Sequence, residues 1–171
     1  ADEILRAAQT AGDHFTLALS GGATPKPLYQ RLASSDYAAR LDWQRIHIFW
    51  GDERCVPPDD PNSNYRMAQE ALLDHVPLPP ENIHRIPGEL PPDEAITFYD
   101  RELRAFFGGL PRFDLILLGI GTDGHTTSLF PHSPALHEHD RYLAATRAPT
   151  PPVDRVTLTL PVINNAARVL F

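Results

Sequence analysis

The sequence predicts one α/β domain built on an open, mostly parallel twisted sheet flanked by helices, and three observations carry that reading. Strand-like apolar runs alternate with helical stretches, as where "HFTLALS" leads through "GGATP" into "KPLYQRLA". "FDLILLGIG", residues 113–121, is continuously apolar and bounded by glycine, which is how a strand covered on both faces reads. Three strand candidates also end in unusual polar loops, the edge where an open parallel sheet holds its ligand.

In chain order, "ADEILRAAQTAG" reads as a helix, followed by the strand "HFTLALS", the glycine turn and the helix "KPLYQRLA". "RIHIFW" is the second strand, and it runs into the long polar loop "GDERCVPPDDPNSN". That loop closes on Ser63 or Asn64 as the cap of the helix "YRMAQEALLDHV". "PLPPENIHRIPGELPP" is a proline-rich connector with room for at most one short strand. Ile96, Tyr99, Leu103, Phe106 and Phe107 share a face of the next helix, which leads into the 113–121 strand. Beyond the "DGH" loop, "RYLAATR" and "RVTLTLP" are further strands. Residues 1–171 are expected to form a single domain lacking parts of both termini. The opening has no initiator Met and reads as a helix under way, and "RVLF" stops like a strand cut short.

With 171 residues, 42% of them hydrophobic, the chain can bury a sizeable core. Its net charge of -7, from 22 acidic against 15 basic residues, disfavours nucleic acid or an anionic membrane as partner. No apolar run approaches the ~20 residues of a membrane span, so the expected partner is a small molecule. Cys55 is the single cysteine, which excludes an internal disulfide or a cysteine-based zinc site and fits a reducing, cytoplasmic setting. No metal site is expected: His137 and His139 flank Glu138 without a third spaced ligand.

If the strands run parallel, three distant loops share one cleft. In the first, Ser20, Gly21, Gly22 and Thr24 precede a helix and resemble a phosphate cradle, although the spacing matches neither the P-loop nor GxGxxG. Lys26, the only lysine, is more simply a solvated side chain. In the second, Asp52, Glu53 and Arg54 need partners; the guanidinium can hold a phosphate bidentately or pair with a neighbouring carboxylate. Asn62 and Asn64 fit turn and cap roles there, and Cys55 has no nearby base to make it a nucleophile. In the third, His125 can exchange a proton near neutral pH, and Asp123 can orient its ring. Glycines at 119, 121 and 124 let a substrate approach the backbone, Gly121 among them as a binding position, and "HTTSLF" is expected to open a short helix.

Together, "LALSGGATPKPLYQRLA", "IFWGDERCVPPDDPNSNYRMAQEALL" and "FDLILLGIGTDGHTTSLFPHSPAL" closely resemble the 6-phosphogluconolactonase family, in order and through nearly the whole chain. Glucosamine-6-phosphate deaminases are similar in the glycine loop and "GIGxDGH", but have "DEY" and "FNEP" types of sequence where this chain reads "DERCVP" and "TTSLFP". The resemblance implies a Rossmann-like sheet shared with sugar-phosphate isomerases and deaminases. It also implies cofactor-free hydrolysis of 6-phosphogluconolactone to 6-phosphogluconate, the second step of the oxidative pentose phosphate pathway. Carried over by motif, His125 is the base that activates water, Asp123 its orienting partner, and Arg54 with the Ser20–Thr24 loop the phosphate site. The alternatives are a deaminase or isomerase on the same scaffold, or a sugar-phosphate binding module without catalysis. The chain departs from the family pattern at Thr127, where alanine is common, and at His132, where a small residue or glycine is usual. Relatives continue beyond "RVLF" into a loop with a further basic residue and a closing helix.

Overall fold

The computed structural model describes residues 1–171 and divides the strands between two sheets of opposite character. In the first, β2 (Ile46–Trp50), β1 (Phe15–Leu19), β4 (Leu115–Leu117) and β7 (Val169–Leu170) lie side by side in that order, every pair parallel. All five residues of β1 are buried, as its central place requires. Pairing runs from Phe15 opposite Ile46 to Leu19 opposite Trp50, so the carboxyl ends of β1 and β2 are flush, and the ends of "LALS" and "IFW" open onto the same edge. This is the predicted parallel sheet.

The second sheet is a correction. β3 (Asp52–Arg54), β6 (Asp154–Leu158) and β5 (Leu143–Arg147) form an antiparallel sheet in the order β3-β6-β5. "RYLAATR" and "RVTLTLP" are therefore strands, but not members of the parallel sheet. The connection across residues 148–153 is too short for a parallel crossover, which takes a dozen residues or more. "GDER", expected as a loop, is the edge strand β3. Gly51 joins the two sheets: its N–H donates to the Leu19 carbonyl of the first (3.0 Å), and its carbonyl accepts from Leu158 N–H of the second (2.8 Å).

Helices α1 (Asp2–Thr10), α2 (Lys26–Leu32), α3 (Ser35–Ala38), α4 (Asn64–Ala71), α5 (Pro92–Phe107) and α6 (Leu160–Asn165) complete the fold. Ala95, Tyr99 and Leu103 of α5, four residues apart, form its buried seam, with Ile96, Phe106 and Phe107 partly buried beside it. The helix ends where Gly108 takes the left-handed region at φ 70° and donates its N–H to the Arg104 carbonyl. The Tyr99 hydroxyl accepts from Trp50 N–H at 3.1 Å, tying α5 to the end of β2. One apolar core contains residues of both sheets, Ile116 of β4 and Val156 of β6 among them.

A second correction concerns "HTTSLF". It opens no helix; it forms turns with an isolated antiparallel bridge between Thr126 and Leu129. Thr127 sits at φ 49° and His132 at φ 64°, in a region that a helix cannot use.

Candidate active site

A cleft of about 540 Å³ opens at the carboxyl edge of the parallel sheet, where it meets the antiparallel one. Ser20, Gly21, Gly22 and Thr24 line it from the loop after β1, Asp52 and Arg54 from β3, and Gly121 and His125 from the loop after β4. The sequence-predicted residues from all three loops thus converge. Lys26 is not on the cleft wall.

The glycine loop is set by Tyr29, a fully buried α2 residue whose hydroxyl accepts from Ser20 N–H (3.0 Å) and donates to the Ser20 carbonyl (2.7 Å). Gly22 has φ 90°, a backbone state that side chains resist. Gly21 is required for a different reason: a Cβ there would overlap the Asn64 carboxamide. No protein acceptor takes the N–H groups of Gly21 or Gly22.

The base end is compact. His125 Nδ1 lies 2.5 Å from Asp123 Oδ1, which also accepts from His125 N–H at 3.2 Å. These bonds, the ring contact foremost, hold the Asp123 carboxyl below its ordinary range, so it is ionised near neutral pH. An ionised Asp123 takes the Nδ1–H of a neutral imidazole and leaves Nε2 with its lone pair. The ring is packed against Phe130 at 4.6 Å between centroids. A Cβ on Gly121 would collide with the His125 ring and lie 2.8 Å from Asp123 Oδ1, so the glycine is what lets the pair fold back over the loop.

Of the three "DER" side chains, only Arg54 offers free donors to the cleft. Asp52 is buried, with Oδ2 accepting from Ser128 Oγ at 2.5 Å and Oδ1 facing Asn64 Nδ2 at 3.3 Å. Glu53 corrects the sequence reading. It is absent from the cleft wall, and its carboxylate accepts from the N–H groups of Arg54, Asn64 and Tyr65 at 2.7–2.8 Å and from Ser63 Oγ at 3.1 Å. It anchors the start of α4, because an acidic side chain at a helix N-terminus meets unpaired N–H groups. Burial pushes its carboxyl up to about 7, while those backbone donors pull the other way. Ser63 is the cap proper, its Oγ accepting from Arg66 N–H at 3.1 Å.

Sequence reasoning missed Arg155 and Asn64. Arg155 lies on β6 directly opposite Arg54 in the ladder and lines the cleft. Asn64, assigned to turn or cap duty, is a cleft residue whose buried Oδ1 has no hydrogen-bond partner. The signal for Arg155 lay in "RVTLTL", whose alternation separates Arg155, Thr157 and Thr159 from Val156 and Leu158.

The sequence matches, over residues 1–171, the family described as glucosamine-6-phosphate isomerases/6-phosphogluconolactonase. The chain belongs to this family. It is 50% identical over 161 residues to a 6-phosphogluconolactonase of Synechocystis sp., covering 91% of this chain and 65% of that protein. To one from Haemophilus influenzae it is 43% identical over 156 residues, covering 91% and 66%. The solved 6-phosphogluconolactonase structure from Trypanosoma brucei aligns with a TM-score of 0.87 at 30% identity, over 98% of this chain and 73% of that one. The Thermotoga maritima structure gives 0.85 at 35% identity, over 99% and 78%. The chain spans about 65% of the length of the Synechocystis relative.

Both departures from the 6-phosphogluconolactonase pattern fall on strained backbone. A small residue or glycine fits the φ 64° of His132 better, although histidine tolerates it. Thr127 at φ 49° is a β-branched residue in a costly state, held there because its hydroxyl donates to the Thr126 carbonyl (2.6 Å) and accepts from Thr157 Oγ1 (3.0 Å). No helix is long and apolar enough to cross a membrane.

Proposed function

We propose that this chain hydrolyses 6-phospho-D-glucono-1,5-lactone to 6-phospho-D-gluconate, in the oxidative pentose phosphate pathway of a reducing, cytoplasmic compartment. The observation that carries the reading is that His125, its Nδ1 2.5 Å from Asp123 Oδ1, lines the same cleft as Arg54 and the glycine loop. Nε2 of neutral His125 takes a proton from water as the oxygen attacks the lactone carbonyl. The carbonyl becomes a tetrahedral oxyanion, whose charge the polar groups of the cleft must stabilise. The imidazolium, stabilised by ionised Asp123, then gives its proton to the ring oxygen as the carbon–oxygen bond breaks. Arg54 and the N–H groups of Gly21 and Gly22 hold the phosphate, which fixes the carbonyl relative to His125. Every step is supplied by protein groups and water.

The test is to give fresh 6-phosphogluconolactone to the intact protein and follow acid production above the spontaneous rate. Activity should fall ~10²- to 10⁴-fold in His125→Ala while 6-phosphogluconate still binds. Near-normal hydrolysis by folded His125→Ala would remove the assigned base. Because the family description also includes isomerases, ammonia release from glucosamine 6-phosphate is the control; turnover of that substrate in preference to the lactone would overturn the reading.

A further inference from the structure

Only six large apolar side chains stay exposed in this chain, and three of them, Ile120, Leu170 and Phe171, line the same cleft as His125. Single exposed apolar residues scattered over a surface need no explanation, but three gathered on the wall of a ligand cleft do. Backbone bonds bring them together. β7 lies beside β4 with Leu170 opposite Leu117, the Leu118 N–H donates to the Leu170 carbonyl at 2.8 Å, and Ile120 follows two residues later. Ile120, 69% exposed, is the only side chain of the segment Gly119–Gly121, and Gly121 has no room for one because a Cβ there would collide with the His125 ring. The peptide N–H that follows Ile120, that of Gly121, donates to the His125 carbonyl at 2.8 Å, so Ile120 and His125 stand at the two ends of one closed turn. The charged side chains lining the cleft, Asp52, Arg54 and Arg155, come from β3 and β6, whereas β4 and β7 bring Leu117 and Leu170.

We infer that Ile120, with Leu170 of β7, forms an apolar wall that packs against the C–H face of a closed sugar ring, which makes Ile120 a specificity-determining residue for the ring over the open chain. A six-membered ring of the gluco configuration carries its hydroxyls around the equator and leaves C–H groups on its faces. Such a face takes an exposed isoleucine out of water, while the hydroxyl rim keeps its hydrogen bonds to the polar groups of the cleft. This inference rests on the proposed lactonase function for the choice of a sugar ring. Hydrolysis opens that ring into a flexible polyol chain ending in a carboxylate, and a carboxylate gains nothing against an apolar wall for the water it gives up. The contact therefore holds the substrate and lets the product go.

The probes are glucose 6-phosphate for the closed ring, 6-phosphogluconate for the open chain and inorganic phosphate for the group they share, titrated by calorimetry into the parent chain, Ile120→Ala and Ile120→Leu. Ile120→Ala should weaken glucose 6-phosphate about 10-fold, the low end of what a missing methylene costs in an enclosed apolar pocket, and leave the other two ligands unchanged. Ile120→Leu, which keeps the apolar volume, should restore the affinity. With the lactone itself as substrate, Ile120→Ala should raise KM and keep kcat, the signature of a contact made equally in ground state and transition state. Equal loss of both sugar phosphates, or loss of neither, overturns the wall, and so does a parent that does not bind glucose 6-phosphate. Both variants should melt with the parent, because the side chain is exposed. If one does not fold, the parent decides alone: NMR must show a nuclear Overhauser contact between the Ile120 δ-methyl and the ring C–H protons of bound glucose 6-phosphate, and its absence also overturns the wall. Failure of the lactonase reading is seen separately, as glucose 6-phosphate binding that depends on Ile120 in a parent that does not hydrolyse the lactone.

Discussion

Asp123 and His125 were legible in the sequence because "GTDGH" is local: the aspartate, the glycines and the histidine that use one another lie within five residues. Glu53 was misread because its partners Asn64 and Tyr65 are eleven and twelve residues away, and nothing in "GDER" says that the carboxylate turns back toward them. Arg155 was invisible for the same reason, since its meaning comes from lying opposite a residue about a hundred positions earlier. The role of Asp123 can be separated from that of a turn residue by Asp123→Asn. Asparagine preserves the turn and the shape but loses the charge that fixes the tautomer and stabilises imidazolium. The variant should fold and bind 6-phosphogluconate nearly as the parent does, with kcat at least ~10-fold lower. An unchanged rate with unchanged melting would leave His125 acting without Asp123.

Among the elements, β2 carries His47 at its amino end, within a second set of histidines absent from the cleft wall. His47 Nδ1 lies 3.1 Å from His84 Nε2, and His84 Nδ1 lies 2.8 Å from Glu102 Oε1 of α5, with His14 and Phe106 packed on the His47 ring. Burial, then the charges of His84 and His14, lower His47 from 6.5 to about 4. The folded chain therefore keeps His47 neutral between about 4 and 6.5, while the unfolded chain protonates it. Stability from this residue is complete above 6.5 and is lost as pH falls toward 4. The melting temperature should accordingly drop across that window, and His47→Gln, which keeps a hydrogen-bonding partner for His84 but cannot titrate, should flatten the slope. An identical slope in the variant would assign the acid sensitivity to other groups. The parallel strands were readable from their apolar runs, whereas the partition of β5 and β6 into a separate sheet depended on the short 148–153 connection, which the apolar pattern alone does not weigh.

For the whole molecule, the decisive arrangement is that the cleft's histidine and its two arginines belong to different sheets. His125 is on a loop of the parallel sheet and the two arginines on strands of the antiparallel one, so the distance between these groups is set by how the two sheets are joined. Gly51 fixes the backbone junction, and a buried polar chain docks the His125 loop: Ser128 Oγ donates to Asp52 of β3 at 2.5 Å, while Ser128 N–H donates to Thr157 Oγ1 of β6 at 3.3 Å. Ser128 and Thr157 are fully buried, so water cannot replace a lost partner. Ser128→Ala leaves an Asp52 oxygen without its donor and should cost about 1.5–3 kcal/mol, as a hydrogen bond to a charged group does. For a chain of this size that is a fall of roughly 3–12 °C in melting temperature. Stability alone would not distinguish the contact from a packing defect, so Asp52→Asn and the double variant complete the cycle. Residues in direct contact should show a coupling of about 0.5–3 kcal/mol, the double variant losing less than the sum of the single ones. Denaturant unfolding of all four proteins measures it. Strict additivity would mean that the loop is held to the antiparallel sheet by packing and by Thr157 alone, and that Asp52 and Ser128 contribute to the cleft separately.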